Sequence, residues 1–366
     1  MALVVSATNT ELPPPLNSVF NQTLLRNAQK RAPYFAGTAA GELTKSRGSN
    51  VCAWRRIENL TGHSASNDLT LSELQGNAAY MQGRDAAALS VSAVTATMTK
   101  YGNYVILNEE VDLYNFPGQF DKIMEVIAIN AGESLNVLQR DIAEDNLTDI
   151  YVAGATNDAT TISPITAAAI KNAIVTLDKN SAQTFTPMTT GSENIGTSPI
   201  LPAFWGLCHP DVAVDIAGLT GFVSVEQYAG QISTVMGEFG TLSVAGKAVR
   251  FISSEGAGVD TGDGASGGVT ADVYNTAGDA DLYRTCIYGQ DCLGSVGLGE
   301  RHTDGVYRAG DDLNAVDVIV KGPSGTGTSD PYNEISTVAW KSFHTGAVLN
   351  ANWGRVITSA ATDITN

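Results

Sequence analysis

Apolar and polar residues alternate from Leu89 to Thr97 and change to a helical spacing after Phe116. The first pattern has a period of two and is rich in β-branched residues, which is typical of a strand. Lys100-Tyr101-Gly102-Asn103 is predicted to form a turn, and Tyr104-Val105-Ile106-Leu107 the return strand. The pattern therefore predicts a hairpin that runs directly into a helix.

The predicted helix runs from about Pro117 to Asn146, because proline is tolerated in a first turn whose N–H groups have no helical partner. At a rise of 1.5 Å per residue it is about 45 Å long, so it spans a whole domain. Three further apolar residues predict burial on a second side: Val126, Ile129 and Val137. The main apolar seam has spacings of three and four residues, with Phe120, Met124, Ile127, Ala131, Leu135, Leu138 and Ile142. The polar edge carries Lys122, Glu125, Glu133, Arg140 and Glu144.

Strands and shorter helices are predicted on both sides of this helix. A strand from Val51 to Thr61 and the strand at Leu89 are joined by a long polar excursion from Gly62 to Arg84. After the long helix, Ser163-Pro164 is predicted to cap a second helix, and His209-Pro210-Asp211 to start a third. The alternation of elements predicts an α+β fold. Further strands are predicted at Ala203–Cys208, Val244–Ile252, Arg284–Val296, Val316–Val320 and Glu334–Ile357.

Composition and charge limit the kinds of protein that this chain can be. The chain has 366 residues, of which 43% are hydrophobic and 16% charged, so it can bury a substantial core and is not a disordered chain. Residues 1–56 carry seven basic and two acidic groups, so their net charge is +5. Since the whole chain has a net charge of −17, residues 57–366 have a net charge of −22. The acidic body would repel phosphate. The basic segment is either a solvated tail or one that lies on an acidic surface or polyanion.

Several motifs match catalytic or binding patterns but lack the required context. Gly262, Gly264 and Gly267 satisfy G-x-G-x-x-G, yet Asp263 would oppose a pyrophosphate and no helix is predicted to follow. Ser266 lies in a G-x-S-x-G pattern without a convincing strand before it or helix after it. A calcium ion would suit oxygen ligands from Asp260, Asp263 and Asp272, but a solvated acidic loop is the preferred interpretation.

The paired carboxylates, the cysteines and the histidines also lack the arrangement that catalysis or metal binding requires. Glu109-Glu110 and Asp311-Asp312 are neighbours whose side chains point to opposite faces of an extended segment, so neither pair is a carboxylate dyad. The cysteines form no close pair for zinc or redox chemistry. The histidines form no ligand array. We therefore predict no catalytic residue, no cofactor and no metal site. A signal peptide and a membrane span are not expected either, so synthesis is expected in the cytoplasm. The cysteines are Cys52, Cys208, Cys286 and Cys292, and the histidines are His63, His209, His302 and His344.

The order of elements and motifs resembles the major capsid (coat) proteins of tailed bacteriophages, specifically their N-four-type branch. The likeness covers nearly the whole chain, and the order of the motifs carries it rather than any single one. The segments that carry it are Tyr101-Gly102-Asn103-Tyr104-Val105, Asn108-Glu109-Glu110-Val111, Ala131-Gly132, Arg140-Asp141, Cys208-His209-Pro210-Asp211, Gly246-Lys247-Ala248-Val249-Arg250-Phe251, Tyr288-Gly289-Gln290, Trp340-Lys341 and Val348-Leu349-Asn350.

This resemblance implies an α+β fold of the Hong Kong 97 (HK97) type, with N-arm, E-loop, P-domain spine helix and A-domain. The implied boundaries are 1–48 for the N-terminal arm, 49–117 for the E-loop and hairpin, 118–149 for the spine helix and 150–290 for the A-domain. Residues 291–366 would supply strands that return through the P-domain and A-domain. The covalent lysine-asparagine cross-links of the related coat family are not carried over, because no motif identifies the partner residues.

The function implied by the resemblance is structural and non-enzymatic. Identical subunits would form hexamers and pentamers of an icosahedral head around double-stranded DNA, without sequence-specific DNA binding and without a membrane. Portal and scaffolding or cement proteins are further implied partners, and the location is the virion, after assembly in the host cytoplasm. The residues that we predict at assembly contacts are Arg26, Lys30, Arg31, Arg55, Arg56, Tyr101, Gly102 and Arg140.

Three other interpretations stay open at this point. An encapsulin-type cellular compartment shell would use the same fold and would require a cargo enzyme with a docking tail. A hydrolase using Ser266 would lose turnover on substitution of that serine by alanine. A secreted adhesin or tail protein fits the β and glycine content, but the long buried helix argues against a purely β module.

Overall fold

The computed structural model describes residues 33–35, 37–40, 50–57, 91–108, 119–186, 201–228, 237–268, 272–301, 307–310, 316–321, 332 and 334–364. Within these residues the α-helices are α1 (Gln119–Asn146), α2 (Ala167–Lys179) and α3 (Pro210–Ala217). The strands, in chain order, are β1 (Ala39–Ala40), β2 (Val51–Ile57), β3 (Val91–Thr97), β4 (Thr99–Asn108), β5 (Thr148–Tyr151), β6 (Ala203–Cys208), β7 (Phe222–Ser224), β8 (Glu238–Val244), β9 (Lys247–Ser253), β10 (Val259–Asp260), β11 (Asn275–Thr276), β12 (Asp279–Ala280), β13 (Leu282–Tyr288), β14 (Leu293–Arg301), β15 (Tyr307–Gly310), β16 (Val316–Lys321), β17 (Ile335–Val348) and β18 (Gly354–Ser359).

The long helix predicted from the sequence is α1, which has 28 residues and therefore a length of about 42 Å. Its predicted seam is confirmed at Met124, Ile127, Ala131 and Leu135, each of which is at most 6% exposed. The prediction of a second buried side is wrong at Val126, which is 62% exposed, whereas Ile129 and Val137 are half-buried. In the C-terminal half of α1, polar residues are buried as well, namely Asn136, Gln139 and Glu144.

A six-stranded sheet packs its inner face against α1. Its central strand is β17, which pairs with β4 along one edge and with β16 and β14 along the other. Leu107, Val318, Val338 and Trp340 are buried between this sheet and the helix. The Trp340 indole N–H donates to the side-chain oxygen of Asn130 on α1 at 3.0 Å, so the only polar atom of that ring is satisfied in the core.

The predicted turn at Lys100–Asn103 is wrong, because these residues lie inside β4. Gly102 is paired with Lys341 on β17 in a continuous antiparallel ladder. The preceding strand β3 pairs with β2 instead, so β3 and β4 are not a hairpin and are separated by the buried residue Met98. A Cβ on Gly102 would lie 2.6 Å from the carbonyl oxygen of Trp340. Glycine therefore serves here to let two strands approach closely.

The pairing of β2 with β3 confirms that these two strands are joined by a long excursion, with Val51 opposite Thr97 and Ile57 opposite Val91. The predicted loop from Gly62 to Arg84 and the start of the predicted strand at Leu89 lie outside the described residues. The two paired strands form a separate ribbon, whose Cys52 and Trp54 pack with Met98 against the six-stranded sheet.

The second sheet has eight strands in the order β5-β18-β13-β6-β9-β8-β7, with β10 added to β13. Helices α2 and α3 bury their apolar faces in the core of this sheet. His209 starts α3 as predicted, because its Nδ1 accepts the backbone N–H of Asp211 at 3.3 Å. The cap of α2 is Thr166 rather than Ser163-Pro164, since the Thr166 hydroxyl accepts the N–H of Ala169.

The strand predicted at Val244–Ile252 is interrupted by a turn. Ala245 and Gly246 both have positive φ, at 50° and 87°, and join β8 to β9 as a two-residue hairpin. Such a pair of left-handed residues matches the twist of the flanking strands. The strand predicted at Arg284–Val296 is likewise divided into β13 and β14.

Candidate assembly surfaces and the helix–sheet joint

The six-stranded sheet has an outer face on the side opposite α1, which carries apolar residues together with Lys321 and Lys341. We define this outer face by Tyr104, Ile106, Ile319, Thr337 and Ala339, which the strand register places on one side of the sheet. Tyr104 and Ile106 are 63% and 56% exposed. Among the described residues, β4 pairs with β17 alone, so the outer face ends at an edge strand. Exposed apolar residues on an edge strand are suited to association with another chain.

The predicted assembly residues Arg55 and Arg56 lie on β2, in the ribbon. Both line a cavity of about 560 Å³ between the ribbon and the body of the subunit. The Arg56 guanidinium donates to the backbone oxygen of Leu349 at 3.1 Å, so this residue fixes the ribbon to the body. Arg55 is exposed and remains available at the surface.

The other predicted assembly residues have different surroundings. Tyr101 is half-buried against the α1 core, and Gly102 permits the close pairing of β4 with β17, so both stabilise the subunit itself. Arg26, Lys30 and Arg31 lie outside the described residues.

Arg140 belongs to a polar ridge on α1, which we define as Asn136, Arg140 and Glu144. These residues are spaced by four, so they lie on one side of the helix. Arg140 donates to the backbone oxygen of Gly256 at 3.1 Å, and Glu144 accepts the N–H of Gly258 at 3.1 Å. The ridge therefore attaches α1 to the turn between β9 and β10 of the second sheet. We call this attachment the helix–sheet joint.

Glu144 is 8% exposed, which contradicts its predicted place on the polar edge of the helix. Burial raises the pKa of its carboxyl group from 4.5 to about 7, against the opposing effects of Arg140, the Gly258 N–H and Arg284. Arg140 Nε lies 3.7 Å from Glu144 Oε2 and also donates to Asp141 at 2.9 Å. The four-residue spacing of Arg140 and Glu144 is visible in the sequence, but the partner that buries them is more than a hundred residues away.

A short 3₁₀ turn at Pro33–Phe35 completes the joint, and sequence reasoning missed it. Tyr34 is fully buried in the core between α1 and the second sheet, whereas Phe35 packs in the core between α1 and the first sheet. The Tyr34 N–H donates to the side-chain oxygen of Asn136 at 3.0 Å. Two adjacent aromatic residues in an otherwise polar, basic segment are the sequence feature that could have indicated this anchor.

Residues of the candidate catalytic and metal-binding motifs form hydrogen bonds, an ion pair and a β-bridge within the subunit. The N–H of Gly262 donates to the side chain of Asp281 at 2.7 Å, and the carboxylate of Asp260 accepts from the guanidinium of Arg284 at 2.7 Å. The backbone of Ser266 forms a single antiparallel β-bridge with Asp279. Within the described ranges, no group of three or more acidic, cysteine or histidine side chains could hold a metal ion. Glu109-Glu110, Asp311-Asp312, His63 and His302 lie outside those ranges.

The remaining reactive side chains are buried. Cys52, Cys208, Cys286 and Cys292 are free and buried. His344 lies on β17 and is 1% exposed, and burial lowers its pKa to about 4, so it packs as a neutral ring against Phe35. For the part of the chain that the structure describes, no helix combines the length and the apolar character that a membrane span needs.

The fold is similar to that of several solved phage capsids. The capsid of Ralstonia phage GP4 aligns with a TM-score of 0.57 and 11% identity over 90% of this chain and 89% of that one. The head structure of Helicobacter pylori bacteriophage KHP40 aligns with a TM-score of 0.50 and 10% identity over 99% and 95%. The acidic stable capsid structure of Helicobacter pylori bacteriophage KHP30 aligns with a TM-score of 0.50 and 10% identity over 90% and 91%. No protein-family model and no curated protein matches the sequence. The α+β, Hong Kong 97-type fold is thus confirmed, and the N-four-type branch stays a prediction.

Proposed function

We propose that this chain is a structural major capsid protein that self-assembles into the icosahedral head of a phage around double-stranded DNA. The observation that carries the proposal is a fold shared over about nine tenths of the chain with phage capsids. These structures are virion shells, which favours this function over a cellular compartment shell or a hydrolase. Hexamers and pentamers of identical subunits, a portal, scaffolding or cement proteins, and assembly in the host cytoplasm belong to the same proposal.

The subunit contact that we propose places the ribbon of one copy on the outer face of the next. Both surfaces have exposed apolar residues, since Val91 on β3 is 56% exposed, as is Ile106 on the outer face. Apolar burial would supply the affinity of this contact. The net charge of −22 over residues 57–366 would keep enclosed DNA from adhering to the shell.

A pair of substitutions tests this contact. Ile106→Asp places a charge on the outer face, so we expect full-length protein to stay as dispersed subunits with an unchanged circular dichroism spectrum. Val214→Asp is the matched control, because Val214 is 50% exposed on α3, away from the outer face. Sedimentation velocity distinguishes subunits from assemblies. Assembly of the Ile106→Asp protein at the level of the control would refute the proposed contact.

The role of the basic arm needs a truncation that spares the core. Because Tyr34 and Phe35 are buried, removal of residues 1–48 would unfold the joint as well as delete the arm. Removal of residues 1–31 takes away Arg26, Lys30 and Arg31 and leaves both aromatic residues. We expect this truncated protein to fold and to assemble poorly, and normal assembly would refute the role of the arm.

A further inference from the structure

The helix–sheet joint contains a carboxyl group in an unfavourable place for a negative charge. Glu144 lies in the last turn of α1, where the partial charge of the helix is negative. Its carboxylate has one backbone donor, the N–H of Gly258 at 3.1 Å. A Cβ on Gly258 would collide with both carboxylate oxygens, so the turn is pressed directly against the side chain. Burial in this position denies an ionised carboxylate the water that it would otherwise bind.

The charged and titratable groups around Glu144 compensate for its charge only in part. From α1 it faces Arg140 and Asp141, and from β13 it faces Arg284. Arg140 divides its N–H groups between Asp141 and the Gly256 carbonyl, and Arg284 binds Asp260 at 2.7 Å. The remaining neighbours are Tyr34 from the 3₁₀ turn and Cys286 from β13, both neutral and fully buried.

We propose that Glu144 is a proton-operated latch that keeps the turn between β9 and β10 closed on α1 while its carboxyl group is protonated, and releases the turn when it ionises. The protonated carboxyl still accepts the Gly258 N–H through its carbonyl oxygen and has little need of water. The ionised form gains hydration only if the turn moves away from the helix. Since burial raises the pKa of Glu144 to about 7, the change falls near neutral pH. The latch is a property of one folded subunit, so it does not depend on the proposed capsid function.

Hydrogen exchange of two backbone amides tests the latch in the full-length protein. The amide of Gly258 reports the bond to Glu144, and the amide of Gly262, bound to Asp281 at 2.7 Å, is the internal reference. After correction for the intrinsic exchange rate, protection of Gly258 should fall about tenfold more than that of Gly262 between pH 6 and pH 8. Equal changes at both amides would overturn the proposal.

Glu144→Gln provides a second, independent readout. The glutamine side chain keeps an oxygen that accepts from Gly258 and cannot ionise, so its Gly258 protection should follow the Gly262 reference at every pH. In wild-type protein, the infrared band of a protonated carboxyl group should disappear between pH 6 and pH 8, and Glu144→Gln protein should lack that band. A wild-type spectrum without such a band at pH 6 would contradict the latch even if the variant failed to fold.

Discussion

Replacing Glu144 by glutamine should make the stability of the protein less dependent on pH. Burial raises the pKa of this carboxyl group from 4.5 to about 7 in the folded protein. A folded group with a raised pKa stabilises fully below its unfolded pKa, and this stabilisation is lost as pH rises through the folded pKa. A difference of one between the folded and the unfolded pKa corresponds to about 1.4 kcal/mol, so the full effect of this group is about 3.5 kcal/mol. Wild-type protein should lose about 2.5 kcal/mol of it between pH 5 and pH 8, because most of the remainder is lost below pH 5.

Urea unfolding, followed by tryptophan fluorescence at pH 5, 6, 7 and 8, measures this loss below the concentration at which subunits assemble. Glu144→Gln should gain about 2.5 kcal/mol relative to wild type over that interval, because the other titrating groups cancel in the difference. Glu125→Gln removes one negative charge from the exposed side of the same helix and controls for general electrostatics. Parallel pH profiles for wild type and Glu144→Gln would refute the reasoning.

Three further substitutions test the subunit core. Tyr34→Ala should lower the free energy of unfolding by about 3–5 kcal/mol in urea, because it empties a fully buried aromatic site at the helix–sheet joint, and a loss below about 1 kcal/mol would contradict this anchor. The fully buried carboxylate of Glu238 accepts from the guanidinium of Arg250 at 2.7 Å. Arg250→Met removes this ion-pair partner, so thermal unfolding should show a loss of about 3–5 kcal/mol in the free energy of unfolding. Unchanged stability would refute the pairing. Gly102→Ala would place a Cβ 2.6 Å from the Trp340 carbonyl oxygen, and we expect faster hydrogen exchange along β4, with unchanged exchange arguing against the close approach.

The sequence predicted the elements whose determinants are local. The end of α1 at Asn146 and much of its buried seam follow from apolar spacings of three and four, and the start of α3 follows from His209-Pro210. In contrast, Lys100–Asn103 has the residues of a turn and forms a strand, because the backbone of β17 lies alongside it. Local preference cannot reveal that partner, which is more than two hundred residues away in the chain.

The same limit applies to the joint and to the assembly residues. Glu144 has the spacing of a solvated helical ion pair, and only the distant Gly258 turn makes it buried. Tyr101 and Gly102 carry the family resemblance and are predicted at assembly contacts, yet their described contacts lie within the subunit. The domain boundaries likewise came from the resemblance and stay predictions.

Negative-stain electron microscopy of the full-length protein, expressed alone and concentrated, tests the central claim most directly. A structural capsid protein with this outer face and ribbon should form closed shells, tubes or hexameric rings. A population that remains monomeric at high concentration, while its circular dichroism spectrum shows a folded α+β protein, would contradict the proposed function.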